Sequence, residues 1–131
     1  MKEYLIWILL LTIAISSAQE KIFLNSGKTF KIDKKYYLNE IILKSDSTFI
    51  QRYYEYRDKN GIETYENSTP ELESNGTYSK SGKYYLFDQK SPNDFVNDYF
   101  FLTENKLIYL YRRKGKWKKG ARFKLKSKWN E

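Results

Sequence analysis

Whatever chemistry this 131-residue chain performs is done without histidine or cysteine. That removes the imidazole acid–base couple, the thiol nucleophile, the disulfide and the soft metal site. Oxygen chemistry remains: a carboxylate pair, a Ser–Lys pair, or tyrosine. A carboxylate pair needs a fixed separation of about 5–10 Å across a cleft. Glu63, Glu66, Glu71 and Glu73 are close in sequence but fall in a stretch with no strand or helix pattern, and Asp94 and Asp98 are no better held. Ser79-Lys80-Ser81-Gly82-Lys83 has the composition of a phosphate loop without its glycine spacing, and reads as a hairpin turn. No nucleophile-elbow, dinucleotide or calcium-loop spacing occurs. The expectation is a protein that is not an enzyme and holds no cofactor and no metal.

Two other groups of residues could act by binding. The first is the tyrosines, 13 in all, clustered as Tyr36-Tyr37, Tyr53-Tyr54-Tyr56 and Tyr84-Tyr85. Alternate strand residues face opposite ways, so each cluster sends rings to both faces. A lumen with several phenols would be a mixed apolar and polar pocket, suited to a small amphipathic ligand. Tyr53, Tyr54, Tyr56, Tyr84 and Tyr85 are the expected lining residues. The competing reading is a barrel filled by its own side chains.

The second group is cationic. Residues 19–111 carry a net charge of −1, whereas 112–131 carry +9, from ten Lys and Arg against Glu131. Arg112, Arg113, Lys124, Lys126 and Lys128 are the expected anion- or partner-binding residues, with Trp117 and Trp129 suited to an interface. The partner would be an anionic envelope component or an acidic protein; export argues against nucleic acid. The competing reading is a row of lysines guarding a sheet edge against aggregation.

These side chains need elements to hold them. Tyr4 to Ile15 is an apolar run of 12 behind Lys2, followed by Ser16-Ser17-Ala18. This is the pattern of a secretory signal peptide over 1–18, cleaved after Ala18, and the run is too short to span a bilayer. No Cys follows it, so the mature chain, 19–131, is expected to be periplasmic or secreted, without a lipid anchor or a transmembrane segment. Beyond it no apolar residues recur at helical spacing, while short Tyr-, Phe- and Ile-rich runs recur between turns. Strands are expected over Lys28–Ile32, Tyr36–Leu43, Thr48–Arg57, from Thr77, over Lys83–Asp88, Tyr99–Leu102, Lys106–Tyr111 and Ala121–Trp129. The last alternates, with Phe123, Leu125 and Trp129 on one face and Lys124, Lys126 and Lys128 on the other. Asp58 to Asn75 reads as a mobile acidic loop gating the barrel mouth, flanked by Gln89 to Asn97. The fold class is all-β: one antiparallel meander barrel of about seven or eight strands.

Three segments, Ile41-Ile42-Leu43-Lys44-Ser45-Asp46-Ser47-Thr48-Phe49, Asn75-Gly76-Thr77-Tyr78 with its hairpin to Leu86, and Leu102-Thr103-Glu104-Asn105-Lys106-Leu107-Ile108-Tyr109-Leu110, resemble the lipocalin-like barrels of exported bacterial proteins. The NlpE-type copper-resistance lipoproteins are the nearest of these, over roughly residues 40–125. The resemblance implies a lipocalin-like barrel associated with the envelope. Ala18-Gln19-Glu20 stands where that family has its lipid-bearing Cys, and the C-x-x-C pair is missing, so neither anchor nor copper chemistry is implied. The functional expectation is a non-enzymatic exported binding protein for a small or amphipathic ligand or an envelope component. The alternative is an interaction protein, of inhibitor or immunity type or a peripheral membrane binder, that uses its basic end.

Overall fold

A computed structural model describes residues 20–29, 32–89 and 98–129; the expected leader, 1–18, and most of the expected Gln89–Asn97 loop lie outside them. Eight strands follow one another: β1 (Lys21–Lys28), β2 (Tyr36–Leu43), β3 (Thr48–Tyr56), β4 (Leu72–Ser81), β5 (Tyr84–Gln89), β6 (Asp98–Leu102), β7 (Lys106–Arg113) and β8 (Lys116–Leu125). Each pairs antiparallel with the next, and β8 returns to β1, closing a barrel. The all-β meander barrel read from the sequence is the fold. No described helix is long and apolar enough to cross a membrane.

Tight turns set the register. Lys114 and Gly115 both have positive φ, 53° and 76°, as a two-residue turn matching the strand twist requires. Ser47 at φ 67° is held by Asp46, whose Oδ1 accepts from the Thr48 amide (3.1 Å) and hydroxyl (2.5 Å). Closure between β1 and β8 is brief, with only Phe23 opposite Leu125 and Leu24 opposite Lys124.

There are two cores, one on each face of the sheet. Inside the barrel, Phe23, Ile41, Leu43, Phe49, Tyr85, Phe87, Phe100, Leu107 and Phe123 form one buried cluster. The Phe87 ring sits 4.5 Å from Phe49 and 4.6 Å from Phe100, so this half of the lumen is filled. Outside, Leu24, Leu38, Tyr54 and Tyr65 form a second cluster with Ile22, Tyr56, Ile62 and Trp129 against it. A strand buried on both faces reads as an unbroken apolar run, which is why Ile41-Ile42-Leu43 does not alternate.

Three expectations are corrected. The acidic stretch is not a mobile gate at the mouth: Lys59–Asn67 is a 3-10 helix, Tyr65 is buried beneath it, and Leu72–Asn75 already belongs to β4. It covers the outer faces of β1–β3, because Ile22, Leu24, Leu38 and Tyr54 would otherwise be bare. The first strand is Lys21–Lys28, not Lys28–Ile32, and Ile32 lies fully exposed in a turn. The last strand ends at Leu125, where Lys126–Lys128 turns into a 3-10 helix, so Lys124, Lys126 and Lys128 do not form one strand face.

Candidate functional site

The five expected tyrosines do not share a pocket. Strand parity puts Tyr53 and Tyr85 on the inner face. Tyr85 is buried in the filled half. Tyr54 and Tyr56 face outward beneath the 3-10 helix, and Tyr84, 53 % exposed, lies on the outer face beside Phe101.

The clamp over Tyr54 is polar at its centre. The Tyr65 hydroxyl donates to Glu40 Oε2 at 2.6 Å, with Glu40 4 % exposed. Arg52 reaches Glu40 at 3.4 Å and makes a shorter pair, 2.9 Å, with Glu73. Burial, then the Glu40 contact, pushes the Tyr65 phenol far above its ordinary value. Lys126 pairs with Glu66 and lies over the Tyr65 ring, so this expected partner-binding cation is engaged by its own chain.

A groove of about 610 Å³ lies on the outer face of β4–β8. Tyr84, Tyr99, Phe101, Leu110 and Trp117 line it, together with Ser81, Lys118 and Lys119. The β6–β7–β8 register builds it by placing Tyr84 beside Phe101, Tyr99 beside Leu110, and Leu110 beside Lys119. An irregular register between Ile108 and Leu110 puts one extra residue in β8 and swings Trp117 and Lys119 onto this face. Trp117 meets the Tyr99 ring edge-on at 5.2 Å and stays 50 % exposed. Arg112 stands 5.2 Å from the Trp117 ring, and the Lys119 ammonium 5.6 Å from Phe101.

None of the expected basic residues lines this groove; Arg112 stands beside it through its contact with the Trp117 ring, and Arg113 is exposed at the tip of the same hairpin. Tyr99, Phe101, Leu110, Lys118 and Lys119 were not among the expected site residues. A signal for them exists: alternation sends Tyr99 and Phe101 to one face, and the Lys114-Gly115 turn sets Trp117 opposite Arg112.

No group of three acidic side chains placed to hold a metal ion occurs among the described residues. The groove offers cations and aromatic surface, which can bind and orient a group of opposite charge with an apolar part. No family model matches this chain, and neither a curated protein nor a solved structure matches it.

Proposed function

We propose that this is a non-enzymatic exported binding protein, lipocalin-like in architecture, whose ligand is an anionic amphiphile of the cell envelope. The site is the outer groove of β4–β8 rather than the lumen. One observation carries the reading: exposed Tyr84 and Trp117 flank an apolar floor of Phe101 and Leu110, with Arg112, Lys118 and Lys119 around it. An acyl chain would lie on the floor and its anionic head group on the cations. The volume falls within the range of about 300–1,000 Å³ typical of ligand sites. Each cation at an anionic surface adds about 1 kcal/mol, screened by salt. Tryptophan and tyrosine favour the boundary between acyl chains and head groups. The export half of the reading is supported by the leader pattern of residues 4–18.

The test compares vesicles of phosphatidylglycerol and phosphatidylcholine with vesicles of phosphatidylcholine alone, reading sedimentation and tryptophan fluorescence. Monomeric lysophosphatidylglycerol forms a third arm, separating a single amphiphile from a bilayer surface. Binding should require the anionic lipid, weaken with salt, and fall about tenfold or more in the Arg112→Glu, Lys119→Glu double variant. Equal binding to neutral vesicles, or an unaffected double variant, refutes it.

The second reading, an interaction protein for an acidic partner, draws on one further observation. From Lys116 to Ala121 the side of β8 turned away from β7 pairs with no strand among the described residues. An acidic extended segment could add there.

A further inference from the structure

We propose that the seam where β1 parts from β8 holds a second, independent binding site, for the dianionic end of a phosphate monoester. Pairing between the two strands covers only Phe23 with Leu125 and Leu24 with Lys124. From Asn25 to Lys28, β1 pairs with β2 alone among the described residues. Asn25 still sends its side-chain amide across to the Arg122 carbonyl, at 2.9 Å. A pocket of about 230 Å³ opens at this parting. Lys106, Arg122 and Lys124 line it with Ser26, beside apolar walls of Leu24, Phe123 and Trp129.

The register brings the three cations together. Leu107 and Phe123 pair across β7 and β8, and both belong to the inner core. Their neighbours therefore face outward. Lys106 stands directly opposite Lys124, and Arg122, opposite Ile108, is the next residue of β8 on the same face. Directly opposed side chains have Cβ atoms about 5 Å apart, and diagonal ones lie about 7–8 Å apart. Like charges so placed destabilise a sheet, whereas an acidic residue at either position would have made a pair. No carboxylate relieves Lys106 or Arg122: among the described residues neither side chain makes an ion pair, and Glu104, two residues from Lys106, makes none with it. Edge protection does not explain the cluster either. Lys106 belongs to β7, which is paired to β6 and β8, and Lys124 has β7 on one side and β1 on the other.

A ligand that turns this repulsion into attraction is an anion with more than one negative charge. A phosphate monoester carries about −1.5 to −2 at pH 7 and three strong acceptor oxygens. The Arg122 guanidinium can take two oxygens as a fork, the Lys106 ammonium can take the third, and the Ser26 hydroxyl is a further donor. The pocket is smaller than the range of about 300–1,000 Å³ usual for whole ligands, so it takes the end of one. The phosphate would meet the cations and the first carbon atoms would meet Trp129 and Leu24.

Isothermal titration of the intact protein, in buffer free of phosphate and sulfate, compares three probes. Phenyl phosphate is the dianionic ester, phenyl sulfate is a monoanion of the same shape, and inorganic phosphate is the bare ion. Phenyl phosphate should bind more tightly than the other two, and its binding should weaken below pH 6 as the phosphate takes up a proton. Arg122→Gln and Lys106→Gln should each weaken it about tenfold. The Arg112→Glu, Lys119→Glu double variant should bind it as the parent does, which separates this site from the outer groove. Without ligand, Lys106→Gln should melt about 1–3 °C above the parent, because a like-charge contact has gone; a purely structural lysine would give the opposite shift. The proposal is overturned if phenyl phosphate does not bind, if phenyl sulfate or inorganic phosphate binds equally well, if both single variants bind like the parent, if the groove variant loses binding, or if Lys106→Gln melts below the parent.

Discussion

The 3-10 helix over Lys59–Asn67 should be held to the barrel chiefly by one hydroxyl. Removing it in Tyr65→Phe keeps the ring, its edge contact with Tyr54 at 5.4 Å and nearly all its buried area. What goes is a 2.6 Å bond to Glu40 Oε2. Glu40 has little else: Arg52 touches the other oxygen at 3.4 Å and is committed to Glu73 at 2.9 Å. A buried acceptor would then stand unpaired, which costs about 2 kcal/mol. For a domain of this size that is a fall of roughly 8 °C in Tm. Urea melts of Tyr65→Phe, Glu40→Leu and the double variant form the assay. Once Glu40 is leucine, the Tyr65 hydroxyl has lost its acceptor. The second substitution should then cost well under half what it costs alone, a coupling of about 1–2 kcal/mol. A Tyr65→Phe protein within about 0.5 kcal/mol of the parent, or additive variants, would show that apolar packing alone holds the helix.

Two further outcomes follow from the same packing. Tyr53, Tyr54, Tyr65 and Tyr78 all have raised phenol values, burial first among the causes, so the folded chain keeps protons that the unfolded chain loses. That stability is complete below the ordinary tyrosine value of 10.0 and drains away above it, by up to about 1.4 kcal/mol per pH unit for each such group. Tyrosinate absorbance near 295 nm should therefore rise in two steps, the later one coincident with unfolding; a single step near 10 with the fold intact contradicts this. Gly61→Ala puts a Cβ 2.5 Å from the Tyr56 ring, so the 3-10 helix must lift. A loss of about 1–3 kcal/mol is expected, with faster amide exchange confined to residues 59–68 and the barrel strands protected as before.

The barrel was legible because hairpins are local. Ser81-Gly82 and Lys114-Gly115 announce their turns, and the apolar runs between them have the length and composition of strands. β1 was misplaced for a reason of the same kind. Asn25-Ser26-Gly27 has turn composition, yet it is mid-strand. The acidic stretch was misread because its anchor is non-local. Its apolar anchors are Tyr65 and Ile62, and their partners Leu24, Leu38 and Tyr54 come from three strands. Which of the paired tyrosines points inward depends on register, and one residue's shift reverses every assignment on a strand. The outer groove depends on an extra β8 residue near Gly120, which packs against Tyr109 and Tyr111. Nothing in an alternating sequence locates such an insertion.

The lysines of the last hairpin do not settle between edge protection and binding, since both readings require charge. The aromatics do. A guarded edge needs Lys116, Lys118 and Lys119 and gains nothing from Trp117 at 50 % exposure or Tyr84 at 53 %. Among the described residues internal neutralisation does not reach the hairpin. Among the described residues the acidic segment makes its ion pairs through Glu66 with Lys126 and Glu73 with Arg52, on the far side of β1 from the hairpin. Arg112, Arg113, Lys114, Lys116, Lys118 and Lys119 pair with no carboxylate there. Arg112 and Lys119 instead lie against the rings of Trp117 and Phe101, beside an open apolar floor. Such a cation gains most from an anion that brings its own apolar surface. On the proposed reading an amphiphile would gain from both the cations and the apolar floor, whereas a simple salt ion would gain from the cations alone.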